Sequence, residues 1–137
     1  MVQGGDFENG DGTGGYAARW YGICDGQAMN QSECPDQTHY NVNDEADNGL
    51  KHFSCTISMA KTNYPNTGGS QFFIVSPGSN PSHLDGVHTV FGSIHSGYST
   101  VDYIDAVQTG GNSGSDPVKE IKIMNAYPLT EDQDMDG

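Results

Sequence analysis

The most informative segment of this 137-residue chain reads Pro65-Asn66-Thr67-Gly68-Gly69-Ser70-Gln71-Phe72-Phe73-Ile74-Val75. Its first half is rich in residues that favour turns, and its second half is a short apolar run of β-prone residues. The segment therefore predicts a turn that leads into a buried strand over residues 71–75. Because side chains alternate between the two faces of a strand, one of Phe72 and Phe73 is expected in the core and the other in a surface groove.

Outward from this segment, four further stretches carry a strand pattern, and they cover residues 1–3, 56–60, 89–94 and 118–125. The last of them places Ile121 and Ile123 on one face, which predicts a strand with one buried side. A single helix is predicted to start at Ser99, whose hydroxyl can cap it, and to stop by Gly110. Strands at short intervals with glycine-rich turns between them favour a mainly β fold, most simply a barrel.

Residues 16–50 are polar and show no clear period, which predicts a long surface loop that is an insertion around residues 16–47. Loops of this length are unusual in a compact domain unless they carry a function or are inserted into a rigid scaffold. The segment contains two of the chain's three cysteines, so its organisation depends on their chemistry.

Cys24 and Cys34 flank a short polar loop and could form a disulfide in an oxidising compartment. Three free thiols, with Cys55 as the third, are an alternative. A zinc site that adds His39 and His52 is a further alternative, although the spacing matches no standard zinc pattern.

The net charge of −13, with 18 acidic and five basic residues, argues against binding to DNA or RNA, because phosphate binding needs clustered Lys and Arg. The same charge suits either a saline environment or ordinary solubility. No apolar run reaches the length of a membrane span, and residues 1–15 lack the apolar core of a signal peptide.

The acidic tail, residues 129–137, contains three alternating carboxylates, Asp132, Asp134 and Asp136. This spacing matches the first half of a calcium loop, so Ca²⁺ binding is expected only if the chain continues. A solvated acidic tail is the alternative. Together with the possible disulfide, the tail favours an extracytoplasmic or cell-surface location over the cytoplasm.

Three segments in order resemble the cyclophilin family of peptidyl-prolyl cis-trans isomerases. They are Met1-Val2-Gln3-Gly4-Gly5-Asp6-Phe7 with Gly10-Asp11-Gly12-Thr13-Gly14-Gly15, then Ser58-Met59-Ala60 with Pro65-Asn66-Thr67-Gly68-Gly69-Ser70-Gln71-Phe72-Phe73-Ile74, and finally Leu84-Asp85-Gly86-Val87-His88-Thr89-Val90-Phe91-Gly92. Their order and spacing are close to those of the family. The resemblance covers residues 1–15 and about 50–127, and it lapses over residues 16–43.

This resemblance implies a closed antiparallel β-barrel with capping helices, incomplete at the N-terminus in this chain. It implies a cyclophilin-like domain over residues 1–128 and a monomeric protein. An open barrel would expose unpaired strand edges, so poor stability of the chain alone is expected.

The resemblance also implies site residues. Met1, Phe73, Leu84 and His88 match the pocket that holds the substrate proline, and Gln3 and Gln71 match its polar border. The neighbouring subsite is matched by Gly12 and Ala60, with Lys61 beside them, and His83 stands where some members carry a tryptophan that contributes to cyclosporin binding. Gln3, Phe73 and His88 are the expected catalytic residues. His39, His52 and His95 are interpreted as structural.

The implied activity is cis/trans isomerisation of X–Pro bonds in proline-containing polypeptides, which assists folding. The rotational barrier of such a bond is about 20 kcal/mol, and lowering it requires neither a nucleophile nor a cofactor. An apolar cup can hold the proline ring, while hydrogen-bond donors such as Gln3 and Gln71 fix the flanking carbonyls and favour the twisted amide. The family's catalytic arginine precedes the position of Met1 and has no match in this chain. A proline-peptide binding module without meaningful catalysis is therefore the alternative.

Overall fold

The computed structural model describes residues 1–111 and 114–128. Within these residues the strands are β1 (Val2–Gly4), β2 (Ile23–Cys24), β3 (Gln27–Ala28), β4 (Tyr40–Asn41), β5 (Thr56–Met59), β6 (Phe72–Ile74), β7 (Val90–Ser93), β8 (Thr109–Gly110) and β9 (Asp116–Pro117). The α-helix α1 spans Tyr98–Asp105, and short 3₁₀ helices span Gln31–Glu33, Gln37–His39 and Ser82–Leu84. The chain divides into two compact units, Met1–Ala106 and Val107–Gly137.

The first unit is built on a four-stranded antiparallel sheet with the strand order β1-β6-β5-β7. The strands predicted over residues 1–3, 56–60, 71–75 and 89–94 are all present in it. In the inner strand β6, Phe73 lies opposite Gln3 of β1 and opposite Ser58 of β5. Directly opposed residues of antiparallel strands share a face of the sheet, so this register groups three side chains on one face.

The segment predicted as a structureless loop instead contains a small antiparallel sheet with the order β3-β2-β4. Cys24 and Cys34 form a disulfide, which decides between the alternatives left open for these cysteines. Cys24 and its neighbour Ile23 are buried. The prediction failed because two-residue strands are too short to show an alternating pattern, and much of the order depends on a cross-link.

The core of the first unit lies around the four-stranded sheet and includes Cys55, Phe73, Val75, Val90 and Val101. Phe73 is the buried member of the aromatic pair, with 3% of its surface exposed, yet it also borders a surface cavity. Phe73 therefore occupies both the core and the groove position, whereas the sequence predicted that Phe72 and Phe73 would divide these positions between them.

The helix α1 begins one residue before Ser99, and the residue that precedes it is Gly97, in a left-handed conformation with φ of 85°. The predicted serine cap is wrong, because Ser99 already lies within the first turn of the helix. The helix has eight residues and buries Val101. No helix in the described ranges combines the length and apolar character that a membrane span requires.

In the second unit, β8 and β9 form a two-stranded antiparallel pair in which Thr109 lies opposite Pro117. The strand predicted over residues 118–125 is absent, and Ile121 and Ile123 are exposed. An alternating apolar pattern forms a strand only where a neighbouring strand accepts its backbone hydrogen bonds. Within the described part of this unit, the paired strand residues end at Pro117, and Val118 donates one further backbone N–H to the Gln108 carbonyl at 2.9 Å.

Candidate active site

One surface cavity of about 680 Å³ lies in the first unit, beside the central strand of its sheet. Nine of the ten predicted site residues line it, and they are Met1, Gln3, Gly12, Ala60, Lys61, Gln71, Phe73, Leu84 and His88. The tenth, His83, lines an adjacent cavity of about 290 Å³, to which Met1, Phe73 and Leu84 also contribute. Tertiary structure thus gathers residues that are spread over 88 positions of the chain.

The ring of Phe73 is held between two histidines. His52 stacks on it with ring centroids 5.8 Å apart and planes 9° from parallel. His88 meets it edge-on, at 5.5 Å and 83°. Both arrangements are favourable for aromatic pairs, so the ring has a defined orientation at the base of the cavity.

His52 is fully buried, and every polar atom of its ring has a partner. Its Nδ1 donates to the Asp85 carboxylate at 2.9 Å, and its Nε2 lies 3.0 Å from the Ser58 hydroxyl oxygen. The backbone N–H of His52, and then its ring, hold the pKa of Asp85 below its usual value. Because this network lies directly behind Phe73, His52 and Asp85 position the ring rather than touch the cavity.

His88 is oriented by the backbone of β5. Its Nδ1 lies 3.0 Å from the carbonyl oxygen of Met59, and since a carbonyl only accepts, Nδ1 is the protonated nitrogen. The other ring nitrogen, Nε2, is then the one available to a ligand at the cavity wall. This hydrogen bond therefore fixes the tautomer of His88 and determines which edge of its ring faces the cavity.

Gln3 and Gln71 are directly bonded across the cavity rim. The Nε2 of Gln3 donates to Oε1 of Gln71 at 2.8 Å. The Nε2 of Gln71 donates to the carbonyls of Gly12 at 2.9 Å and Gly14 at 2.7 Å. Both donors of Gln71 are therefore used inside the protein, which differs from the expected role of Gln71 as a donor to a ligand.

The glycine-rich loop over residues 6–15 is organised by one carboxylate. Asp6 accepts backbone N–H bonds from Glu8, Asn9, Asp11, Gly12 and Gly14. Partial burial opposes ionisation of Asp6, but the donated N–H groups outweigh it and lower its pKa to about 2. The ionised Asp6 side chain thus stabilises the loop conformation in which the Gly12 and Gly14 carbonyls accept hydrogen bonds from Gln71.

Ala60 and Lys61 follow β5 and form another part of the rim. The backbone N–H of Ala60 donates to the Gln71 carbonyl at 3.0 Å. The Lys61 ammonium lies 3.4 Å from Asp44 and donates to the Tyr64 carbonyl at 3.2 Å, with only 6% of its side chain exposed. Lys61 therefore reaches the cavity as a paired charge rather than a free one.

The segment over residues 16–47 supplies two cavity residues that were not predicted, Asp25 and Asn41. Asp25 and Gly26 form the two-residue turn between β2 and β3. The Asp-Gly pair is a common hairpin signal, so the turn was detectable in the sequence. Its position beside the cavity was not, because it depends on the disulfide and on the packing of the small sheet.

The described residues include no group of three His, Cys, Asp or Glu side chains that could hold a metal ion. The zinc site considered for Cys24 and Cys34 is excluded by their disulfide. The calcium-like carboxylates Asp132, Asp134 and Asp136 lie outside the described residues.

Comparison with known proteins gives consistent matches. Residues 1–127 match the family model described as cyclophilin type peptidyl-prolyl cis-trans isomerase/CLD. Peptidyl-prolyl cis-trans isomerase-like 1 of Gibberella zeae is 41% identical over 90 residues, covering 66% of this chain and 53% of the relative. Peptidyl-prolyl cis-trans isomerase CYP18-1 of Arabidopsis thaliana is 36% identical over 91 residues, covering 64% and 54%.

A third relative, peptidyl-prolyl cis-trans isomerase D of Mycosarcoma maydis, is 34% identical over 133 residues, which are 97% of this chain and 27% of the relative. The chain spans about half the length of the Gibberella and Arabidopsis relatives. The matched range includes all the residues that line the cavity. The chain belongs to the cyclophilin-type peptidyl-prolyl cis-trans isomerase family.

Proposed function

We propose that the cavity beside β6 binds proline-containing polypeptide segments and catalyses cis/trans isomerisation of their X–Pro bonds. The observation that carries this proposal is the grouping of Met1, Phe73 and Leu84 with Gln3 and His88 around one cavity. The first three provide an apolar surface for a proline ring, and the last two provide polar atoms at its edge. Family membership points to the same chemistry.

The proposed mechanism is selective binding of the twisted amide. In the planar amide, the lone pair of nitrogen is delocalised into the carbonyl, which produces a barrier of about 20 kcal/mol. A site that holds the ring fixed and donates hydrogen bonds only to the twisted form lowers that barrier, because only such differential interactions accelerate a reaction. Proton transfer and covalent intermediates are not needed.

Within this site, the roles divide according to the geometry. Phe73 is the rigid surface for the ring, since His52 and His88 fix its orientation. Gln3 has one amide N–H beyond the one that it donates to Gln71. Gln71 is a positioning residue for Gln3 and the glycine loop, because its own donors are occupied.

The corresponding architecture is also a proposal: the four-stranded sheet is part of a closed antiparallel barrel with capping helices. Its antiparallel pairing and the family match support this arrangement. We further propose a domain over residues 1–128 in which residues 16–47 are an insertion, and a monomeric protein.

A second candidate function, proline-peptide binding without turnover, is supported by the position of Arg19. This is the chain's one arginine, and its guanidinium lies over the Tyr21 ring at 5.1 Å and donates to the Tyr21 hydroxyl at 3.0 Å. Arg19 does not contribute to the cavity. In this function the groove recognises the proline, and the amide exchanges at its intrinsic rate.

Exchange NMR on a short peptide with one Ala–Pro bond tests both functions. Accelerated cis/trans exchange at substoichiometric protein supports the enzyme, and Gln3→Ala should then reduce kcat/KM by about one to two orders of magnitude. The exposed Gln27→Ala is the matched control. Peptide binding with unaccelerated exchange would support the binding module, whereas no binding to any proline peptide would overturn both.

A further inference from the structure

The turn between β2 and β3 brings a carboxylate to the cavity on a rigid support. Asp25 and Gly26 form this turn with φ of 48° and 77°, both in the left-handed region that such turns require. The Asp25 N–H donates to the His39 carbonyl at 3.0 Å, and the Gly26 N–H donates to Asn41 Oδ1 at 2.9 Å. The preceding residue, Cys24, is joined to Cys34. Hydrogen bonds and a disulfide therefore hold the tip in place.

This carboxylate lies at the end of the cavity away from Phe73. The cavity is lined by alternate residues of one segment, Phe73, Gln71, Gly69 and Thr67, which together follow its length. The turn packs at the Thr67 end, since a Cβ at Gly26 would lie 3.0 Å from Cγ2 of Thr67. Thr67 and Phe73 are six positions apart in this segment, so at about 3.3 Å per extended residue the two ends are at most about 20 Å apart, and a bound peptide would need no more than about six residues to connect them.

The charge at this end is negative and accessible. The Asp25 side chain is 65% exposed, and its carboxylate lies 2.9 Å from Nδ1 of His39, whose pKa this hydrogen bond raises. Lys61, the cationic side chain that lines the same cavity, is paired with Asp44 and almost fully buried. A ligand at the Thr67 end therefore meets a carboxylate whose charge Lys61 does not offset.

We propose that Asp25 is a specificity-determining residue that selects proline-containing segments carrying a lysine or arginine a few residues from the proline. This inference rests on the proposed function of the cavity. Asp25 attracts a cationic side chain and repels an acidic one, while the proline occupies the Phe73 end. The hairpin formed by β2 and β3 thus makes binding depend on the charge of residues near the proline as well as on the proline itself.

The test uses a series of alanine- and glycine-based nonapeptides with one central proline and a single Lys, Ala or Glu at each flanking position in turn. Dissociation constants and exchange rates are measured at low salt and at pH 8.5, because the hydrogen bond with Asp25 raises the pKa of His39 and an alkaline pH favours the neutral ring beside that carboxylate. At one or two positions the Lys peptide should bind roughly two- to fivefold more tightly than the Ala peptide, and the Glu peptide more weakly. Salt at 0.5 M should reduce the difference.

Asp25→Asn should abolish the Lys preference, so that the variant binds the Lys and Ala peptides equally. Asparagine tolerates a positive φ and can still accept a hydrogen bond from His39, so the turn is preserved. The matched control is Asp102→Asn on α1, which removes the same charge from an exposed site that does not line the cavity and should keep the preference.

An unchanged Lys-to-Glu ratio in Asp25→Asn, or an equal loss in Asp102→Asn, would overturn the inference and assign any preference to overall charge. Binding of the Ala peptide with no charge preference at any position would overturn this inference alone. Failure to bind even the Ala peptide would overturn the proposed function together with it.

Discussion

His52 stacks on Phe73 with the two ring planes 9° from parallel, and this buried contact sets the base of the cavity. His52 is completely buried, and its ring is bonded to Asp85 and Ser58. Since a buried polar ring is tolerated only when its nitrogens are satisfied, the network and the stacking depend on each other. The orientation of the Phe73 ring in the cavity therefore depends on buried residues that do not line the cavity themselves.

His52→Ala should destabilise the protein by about 2–4 kcal/mol, because it removes a buried ring and leaves Ser58 and Asp85 without their partner. Urea unfolding measures the change. His95→Ala is the matched control, since His95 is exposed, and it should alter stability by no more than about 0.5 kcal/mol. Equal stabilities of the two variants would contradict the structural role of His52.

Gln71→Glu should loosen the glycine-rich loop. A carboxylate has the same shape as the amide but cannot donate to the carbonyls of Gly12 and Gly14, so the loop loses its attachment to β6. We expect a loss of about 1–3 kcal/mol and faster amide exchange over residues 12–15, observed by NMR. Gln27→Glu adds the same charge on an exposed strand residue and is the control. Unchanged exchange in the loop would show that Gln71 does not position it.

Acid should destabilise the same loop through Asp6. The folded-state pKa of about 2 lies below the ordinary value of 3.8, so the ionised carboxylate stabilises the fold above pH 3.8. This contribution is lost as the pH falls from about 4 through 2, because protonation then weakens the bonds from the backbone N–H groups. The observable is the difference in unfolding free energy between the wild type and Asp6→Asn at pH 5, 4, 3 and 2.

That difference should be largest at pH 5 and should shrink towards pH 2. Asp47→Asn, at an exposed position, controls for the general titration of an acidic protein and should give a flat difference. A difference between wild type and Asp6→Asn that does not change with pH would refute the role assigned to the Asp6 carboxylate.

Reduction of the Cys24–Cys34 disulfide should destabilise the small sheet. The bridge joins positions ten residues apart, and a loop of this size corresponds to about 3 kcal/mol in the chain-entropy account. We expect dithiothreitol to lower the unfolding free energy by about 2–3 kcal/mol. The double variant Cys24→Ser with Cys34→Ser should resemble the reduced protein and should not respond to dithiothreitol. A wild type that is equally stable in both redox states would contradict the prediction.

The strands of the main sheet followed from the sequence because their signals are local. Residues 56–60 and 71–75 combine alternation or apolar character with flanking turn residues, and both form strands within one residue of the expected ends. The strand expected over residues 118–125 shows the limit of such signals, because an alternating sequence pattern does not by itself provide a neighbouring strand to pair with. The short sheet of residues 23–41 shows the opposite limit, because it has almost no pattern and is held by a cross-link.

The sequence by itself determined the family, the main strands and a set of site residues, because motif order and side-chain type are carried by the chain. Only the tertiary structure decided how these residues act. In the folded protein, the amide donors of Gln71 bind the carbonyls of the glycine-rich loop, and Lys61 forms an ion pair with Asp44. The ring of His52 stacks on Phe73, and Asp25 lines the cavity. Each of these relationships joins positions that are distant in the chain, and hydrogen-bond partners and burial are properties of the packed structure, which no local pattern specifies.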